Sequence, residues 1–224
     1  MKRLLTIGLC LALIGTSMSL KSQETMTKEQ KVSYAIGANF GTQVHRDGVE
    51  LDKNAFMQGV QDGMAGQNKF TDQEMQEIFM QFQQDLQAKK ADEANQAKAA
   101  GIAFLEANKK NPNVKVTGSG LQYEVIQMGN GPKPSATSKV TVKYTGKLID
   151  GTVFDSTDNN GGEPISFGLN QVIKGWTEGL QLMPTGSKFR FYIPSDLAYG
   201  DQGAGAVIPG GATLIFDIEL LSFE

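Results

Sequence analysis

Apolar positions recur with two different periods along this chain, and the change falls near residue 120. Beyond it, Leu121, Tyr123 and Val125 alternate with polar neighbours, as do Val140, Val142 and Tyr144, then Phe189, Phe191 and Ile193, and finally Leu214, Phe216, Ile218 and Leu220. A period of two predicts half-buried antiparallel strands. Asp150-Gly151 is a hairpin signal that would join residues 140–148 to 152–155. One short helix is expected at about 171–180, with Val172, Ile173, Trp176 and Leu180 on its inner side. The back half therefore reads as a curved antiparallel sheet wrapped around one helix.

Before residue 111 the spacing is helical. Thr27-Lys28-Glu29-Gln30 is a capping box, and Val32, Ala35, Ile36 and Phe40 continue from it. A second helix follows Asp52, with Ala55, Phe56, Gly59, Val60 and Gly63 on one face, and Met57 and Met64 nearby to fill irregular gaps or line an adaptable surface. Thr71-Asp72-Gln73-Glu74 repeats the capping box and opens the longest helix, with Met75, Phe79, Phe82 and Leu86 as its stripe. That stripe fades to Ala91, Ala94 and Ala97. A helix over 72–109 would be about 57 Å long at 1.5 Å per residue. Its alanine-rich second half is expected to cross solvent as a stalk. Asn111-Pro112-Asn113 would end it, and Gly118-Ser119-Gly120 would form a flexible joint. The fold class is α+β. Its short helices and Phe/Met stripe are too few to bury one another, which predicts a homodimer built by the front half. A monomeric bundle folded back onto the long helix is the alternative.

Proline and glycine usage draws the same boundary. All seven prolines lie beyond residue 111 and 17 of the 26 glycines beyond residue 117, whereas 71–110 holds only Gly101. The chain divides into 1–22, 23–70, 71–111 and 112–224. Residues 1–22 read as an export signal: Lys2 and Arg3 precede an apolar run over 4–14, and Ser17-Met18-Ser19 offers a cleavage site. Eleven apolar residues fall short of the roughly 20 that span a bilayer, so no integral membrane span is expected. Cleavage after Ser19 removes Lys2 and Arg3 and takes the formal charge from -3 to -5. An acidic balance argues against nucleic acid as a partner. Cys10, the one cysteine, lies inside the apolar run after the bulky Leu9, so simple export is favoured over lipidation. A mature chain without thiols excludes disulfides, thiol catalysis and Cys-ligated zinc.

Most other chemistries are also excluded. His45 is the only histidine and has no triad context, so neither Ser-His-Asp catalysis nor a histidine zinc site is expected. The glycine-rich stretch 203–211 lacks the lysine and following helix of a phosphate loop. Residues 89–98 mix both signs and read as a solvated helix face. No metal or cofactor is called for.

Six motifs then follow in order: Tyr144-Thr145-Gly146, Asp150-Gly151-Thr152-Val153-Phe154-Asp155-Ser156, Gln171-Val172-Ile173-Lys174-Gly175-Trp176, Ala198-Tyr199-Gly200, Ile208-Pro209 and Ala212-Thr213-Leu214-Ile215-Phe216-Asp217. Together they strongly resemble the FK506-binding-protein class of peptidyl-prolyl cis-trans isomerases, over about residues 118–224. The helical front half looks like the dimerisation arm of secreted bacterial members of the macrophage infectivity potentiator and FkpA type. The resemblance implies that 23–70 is a dimerisation region, 71–111 a connecting helix and 112–224 the isomerase domain.

It implies a site as well. Trp176 would form a pocket floor beneath a proline ring, and Tyr144, Phe154, Val172, Ile173 and Phe216 its walls, with Ile165, Val207 and Ile208 as further substrate contacts. Asp155 and the Tyr199 hydroxyl would orient or polarise the substrate carbonyl, and the Ile173 backbone would bond to bound peptide. Rotation about a peptide bond meets a barrier of about 18–20 kcal/mol, because resonance gives the C–N bond double-bond character. Before proline the two isomers are close in energy but exchange slowly. No bond is broken, so a dry pocket that favours the twisted amide is enough. The sequence departs from the family at Ile165, where an aromatic wall is common, at Gln171 in place of an acid, and at Ala204 in a loop position often aromatic or histidine. The implied partners are proline-containing unfolded or exported polypeptides and FK506- or rapamycin-type macrolides. The implied location is the periplasm or the outer membrane or cell surface beyond it. A holdase chaperone, or a peptide-binding module with little catalytic role, is the alternative.

Overall fold

A computed structural model describes residues 26–224 apart from Ala206. The export signal expected at 1–22, with Cys10, lies outside the described residues. The chain divides into two compact units between Gln67 and Asn68.

The first unit holds two helices, α1 (Lys28–Arg46) and α2 (Lys53–Ala65). Thr27 caps α1 reciprocally: the Gln30 N–H donates to Thr27 Oγ1 at 3.3 Å and the Thr27 N–H to Gln30 Oε1 at 2.8 Å. Asp52 caps α2 by accepting the Ala55 N–H at 2.8 Å, and Gly66 closes it in the left-handed region at φ 68°. Phe40 and Phe56 stack with centroids 4.8 Å apart. Neither helix buries a residue.

The second unit opens with α3 (Asp72–Asn108), again started by a capping box, here Thr71 with Glu74. Its first half keeps Ile78, Phe79, Met80 and Phe82 exposed. The second half does not cross solvent, contrary to the stalk its composition predicts. Ala94 and Gly101 are buried, with Ala97, Lys98, Phe104, Leu105 and Asn108 partly covered on the same face. Small side chains here serve close approach. A Cβ at Gly101 would stand 2.3 Å from Thr213 Oγ1, and one at Gly211 only 2.2 Å from the Ala94 carbonyl. Gln122, itself buried, fastens the helix end, donating to the Leu105 carbonyl and accepting from Asn108 Nδ2, both at 2.9 Å.

The sheet contains β1 (Lys115–Val116), β2 (Gln122–Gln127), β3 (Lys139–Leu148), β4 (Val153–Ser156), β5 (Ile165–Gly168), β6 (Lys188–Ile193) and β7 (Leu214–Phe223). All pairings are antiparallel, in the order β1-β2-β6-β7-β3-β4, with β5 sharing the β4 edge of β3. The Gly118-Ser119-Gly120 stretch is a hairpin turn rather than a flexible joint. The Thr117 N–H donates to the Leu121 carbonyl at 2.9 Å, and Gly120 takes φ 90°. Asp150-Gly151 turns the chain from β3 to β4, with Gly151 also at φ 90°. On the outer face Arg190 grips Asp217 through Nε and Nη2 at 2.6 and 3.0 Å, and Lys147 stands 3.6 Å from the same carboxylate.

The inner face carries Val140, Val142, Phe189, Phe191, Ile193, Leu214, Ile218 and Leu220, all buried. Against it lies α4 (Lys174–Leu180). Its Gly175 and Gly179 occur four residues apart, one turn along the same helix face. Cβ atoms there would meet Ile193 Cγ2 at 2.4 Å and Phe191 Cε1 at 2.6 Å. These glycines set how near the helix lies to the sheet. Gly179→Val is therefore expected to lower unfolding free energy by about 1–3 kcal/mol in urea denaturation. Gly118→Ala, where nothing lies within 4 Å, should stay within about 0.5 kcal/mol of the parent.

Candidate functional site

Between α4 and the inner face of the sheet is a cavity of about 440 Å³, lined by Tyr144, Phe154, Asp155, Ile165, Phe167, Gln171, Val172, Ile173, Trp176, Tyr199 and Phe216. Strands deliver the Tyr144, Phe154, Ile165, Phe167 and Phe216 side chains and α4 that of Trp176, while Gln171, Val172, Ile173 and Tyr199 come from short turns and connecting segments. Tyr144 on β3 and Phe216 on β7 lie on the buried face, with Tyr144 paired to Ile218 and Phe216 to Gly146. Gly146 is the reason the rings fit. A Cβ there would stand 2.6 Å from the Phe154 ring and 2.7 Å from Phe216.

Trp176 forms the base. It is 6% exposed and is reached by three other rings. Tyr144 meets it edge-on at 5.1 Å and 82°, Phe216 edge-on at 5.0 Å and 85°, and Phe167 tilted at 5.2 Å. Phe154 in turn meets Phe216 edge-on at 5.4 Å. Edge-to-face pairs let the positive rim of one ring meet the negative face of another, which holds the walls in place. The indole Nε1 is buried without an acceptor among the described residues.

Few polar groups interrupt this surface. The Tyr144 hydroxyl donates a very short hydrogen bond to Asp155 Oδ2. Asp155 lies at the exposed rim, where its oxygens remain within reach of a bound chain. Burial, then the hydrogen bond to Asp155, pushes the Tyr144 phenol well above its ordinary value. Burial, then the negative charge of Asp155, raises the Tyr199 phenol too. Both hydroxyls therefore stay protonated, Tyr144 committing its proton to Asp155 and Tyr199 keeping its own to donate. The arrangement offers an apolar slot, a carboxylate at its lip and one hydroxyl donor, that of Tyr199. Among the described residues there is no cluster of His, Cys, Asp and Glu suited to a metal.

The structure brings together Tyr144, Phe154, Asp155, Ile165, Val172, Ile173, Trp176, Tyr199 and Phe216. It does not bring Val207 and Ile208 to the same wall. Ile208 is turned into the core, its N–H and carbonyl both bonded to Ala204, and Val207 is 56% exposed. Phe167 was missed. It stands two residues from Ile165 on β5, on the same face, so alternation from Ile165 was the signal that could have found it. This ring supplies the aromatic wall that Ile165 lacks.

Comparison with known proteins finds matches along most of the chain. Residues 131–221 match the family described as FKBP-type peptidyl-prolyl cis-trans isomerase, and residues 29–125 the domain amino-terminal to it. The chain is 44% identical to the outer membrane protein MIP of Legionella longbeachae, over 99% of this chain and 97% of that protein. It is 47% identical to the FKBP-type peptidyl-prolyl cis-trans isomerase FkpA of Aeromonas hydrophila, over 90% of this chain and 78% of that one. The crystal structure of FkpA from Escherichia coli superposes with a TM-score of 0.65 at 38% identity, covering 88% of this chain and 97% of the other.

The raised phenols give the site a pH signature. Folding holds their protons more tightly than the unfolded chain does, so their contribution to stability is complete below the ordinary phenol value of 10.0 and declines as pH rises through it. Thermal unfolding should show a flat stability between pH 7 and 9 from these two groups and a fall above about pH 10. Tyr144→Phe combined with Tyr199→Phe should shrink that fall.

Proposed function

The chain belongs to the FKBP-type peptidyl-prolyl cis-trans isomerase family, and we propose that it uses the Trp176 cavity to rotate Xaa-Pro bonds in exported polypeptides. The observation that carries this reading is the aromatic slot itself: six aromatic side chains line it, with the Asp155 carboxylate at its exposed rim. A proline ring placed on Trp176 leaves the preceding carbonyl at the lip. As the amide twists, nitrogen recovers its lone pair and the C–N bond loses double-bond character. A low-polarity pocket disfavours the charge-separated planar amide relative to this twisted form. Asp155, steadied by Tyr144, and the Tyr199 hydroxyl orient the carbonyl during rotation. The Ile173 carbonyl is already engaged by the N–H groups of Trp176 and Thr177, so its contact with peptide would come from its own N–H.

Three finer readings accompany it. The cavity volume lies within the range of sites that hold drug-sized molecules, which supports a macrolide of the FK506 or rapamycin type as a competing ligand. A homodimer is supported by helices that bury no residue of their own while Val32, Tyr34, Ile36, Met57 and Met64 stand exposed. An envelope location is supported by the name of the Legionella longbeachae relative and by the export signal read at 1–22. No helix among the described residues is long and apolar enough to cross a membrane.

The test is cis-to-trans isomerisation of a proline tetrapeptide by the mature chain. Tyr199→Phe removes one oriented hydrogen bond and should lower kcat/KM about three- to tenfold. Asp155→Leu should lower it further, with the far-ultraviolet dichroism of both variants unchanged. A mature chain no faster than solvent would end the isomerase reading. Light scattering should return twice the protomer mass, and Ile36→Glu with Met64→Glu should move it toward the single-chain value.

A further inference from the structure

Tyr199 reaches the cavity from a segment with little sheet support of its own. It stands between two short 3-10 turns, Ser195–Leu197 and Gly200–Gln202. Each turn contributes one acid, Asp196 and Asp201. Both carboxylates converge on Lys98 of α3, with Oδ1 to Nζ distances of 3.4 Å in each case. One cation on the long helix thus bridges both flanks of Tyr199.

The backbone contacts beside this bridge are equally close. A Cβ at Gly211 would lie 3.1 Å from Lys98 Cβ, and one at Gly210 would lie 3.0 Å from Ala94 Cβ and 2.1 Å from the Asp201 carbonyl. The Gly211 N–H donates to the Gly200 carbonyl at 2.8 Å. Helix α3 and the turn after Tyr199 therefore pack through glycine on one side and an ammonium on the other. Removing that charge would leave two carboxylates without the cation they share, and like charges repel.

We propose that Lys98 is a positioning residue for the reaction: it ties together the two turns that flank Tyr199 and so sets where the hydroxyl stands over the cavity. The proposal rests on Tyr199 taking part in isomerisation. Lys98 lies outside the cavity lining. Its effect must pass through Tyr199.

The experiment is a double-mutant cycle on the full mature chain, with kcat and KM for a proline tetrapeptide measured separately at low and high salt. Lys98→Met keeps the packed stem and should lower kcat/KM about threefold at low salt, the scale expected of exposed ion pairs. Lys98→Arg should restore the parent rate. Salt should slow the parent toward Lys98→Met and leave that variant nearly unchanged. Lys98→Met added to Tyr199→Phe should cost nothing more. Asp196→Asn with Asp201→Asn removes the bridge without leaving opposed charges, and should show the same non-additivity if Lys98→Met fails to fold. An unchanged rate in Lys98→Met and in the paired Asn variant would overturn the proposal. Losses that multiply with that of Tyr199→Phe would also overturn it, because Lys98 would then act elsewhere. Should Tyr199→Phe itself match the parent, the role of Tyr199 falls and the proposal with it, while isomerisation by the parent would still stand.

Discussion

How deep the cavity is, and therefore what can enter it, depends on the distance between one short helix and the sheet beneath it. That distance is set by two missing side chains. Gly175 and Gly179 let α4 settle against Ile193 and Phe191, closer than any residue with a Cβ would allow. The approach places Trp176 where Tyr144, Phe167 and Phe216 can all reach its ring. Gly146 repeats the device on the sheet, leaving a gap that the Phe154 and Phe216 rings fill. Close packing of this kind tolerates little change in volume. The glycines leave the rings in close contact on every side.

A site for rotating an amide needs restraint in its polar groups more than power. The hydroxyl of Tyr144 is spent on Asp155, which fixes the direction of the carboxylate. Tyr199 sits opposite, partly exposed, on a segment tied to another element by charge. Apart from the Gln171 amide and the buried Trp176 Nε1, the remaining lining is ring and aliphatic side chain.

Much of this was legible in the residues, and the reasons divide cleanly. Strands β2, β3, β6 and β7 announce themselves because alternation is a local property and one sheet face is buried. Thr27, Asp52 and Thr71 mark helix starts because capping is satisfied within one turn. The second half of α3 misled, since Ala94, Ala97 and Gly101 suit a solvent-facing helix as well as one pressed against backbone. Only the arrival of Thr213 and Gly211, more than a hundred residues later, decides between them. Strand β5 is four residues long, too short for periodicity to separate from a loop, and Phe167 was lost with it. Val207 and Ile208 belong to a loop closed by its own bonds to Ala204, where neither period applies.

The order of strands has a consequence for how the molecule comes into being. Strand β7 lies between β6 and β3, and without it the sheet is two separate pieces, β1-β2-β6 on one side and β3 with β4 and β5 on the other. Its partners on β3 are some 70 to 80 residues earlier in the chain, for example Tyr144 with Ile218. Pairings across such separations form slowly, whereas a helix such as α3 can form in about a microsecond. The Ala94–Gly101 face of α3 is covered by Gly211 and Thr213, more than a hundred residues later in the chain. Phe216 and Thr213 are three residues apart, so one segment serves both the cavity and the seat of the helix.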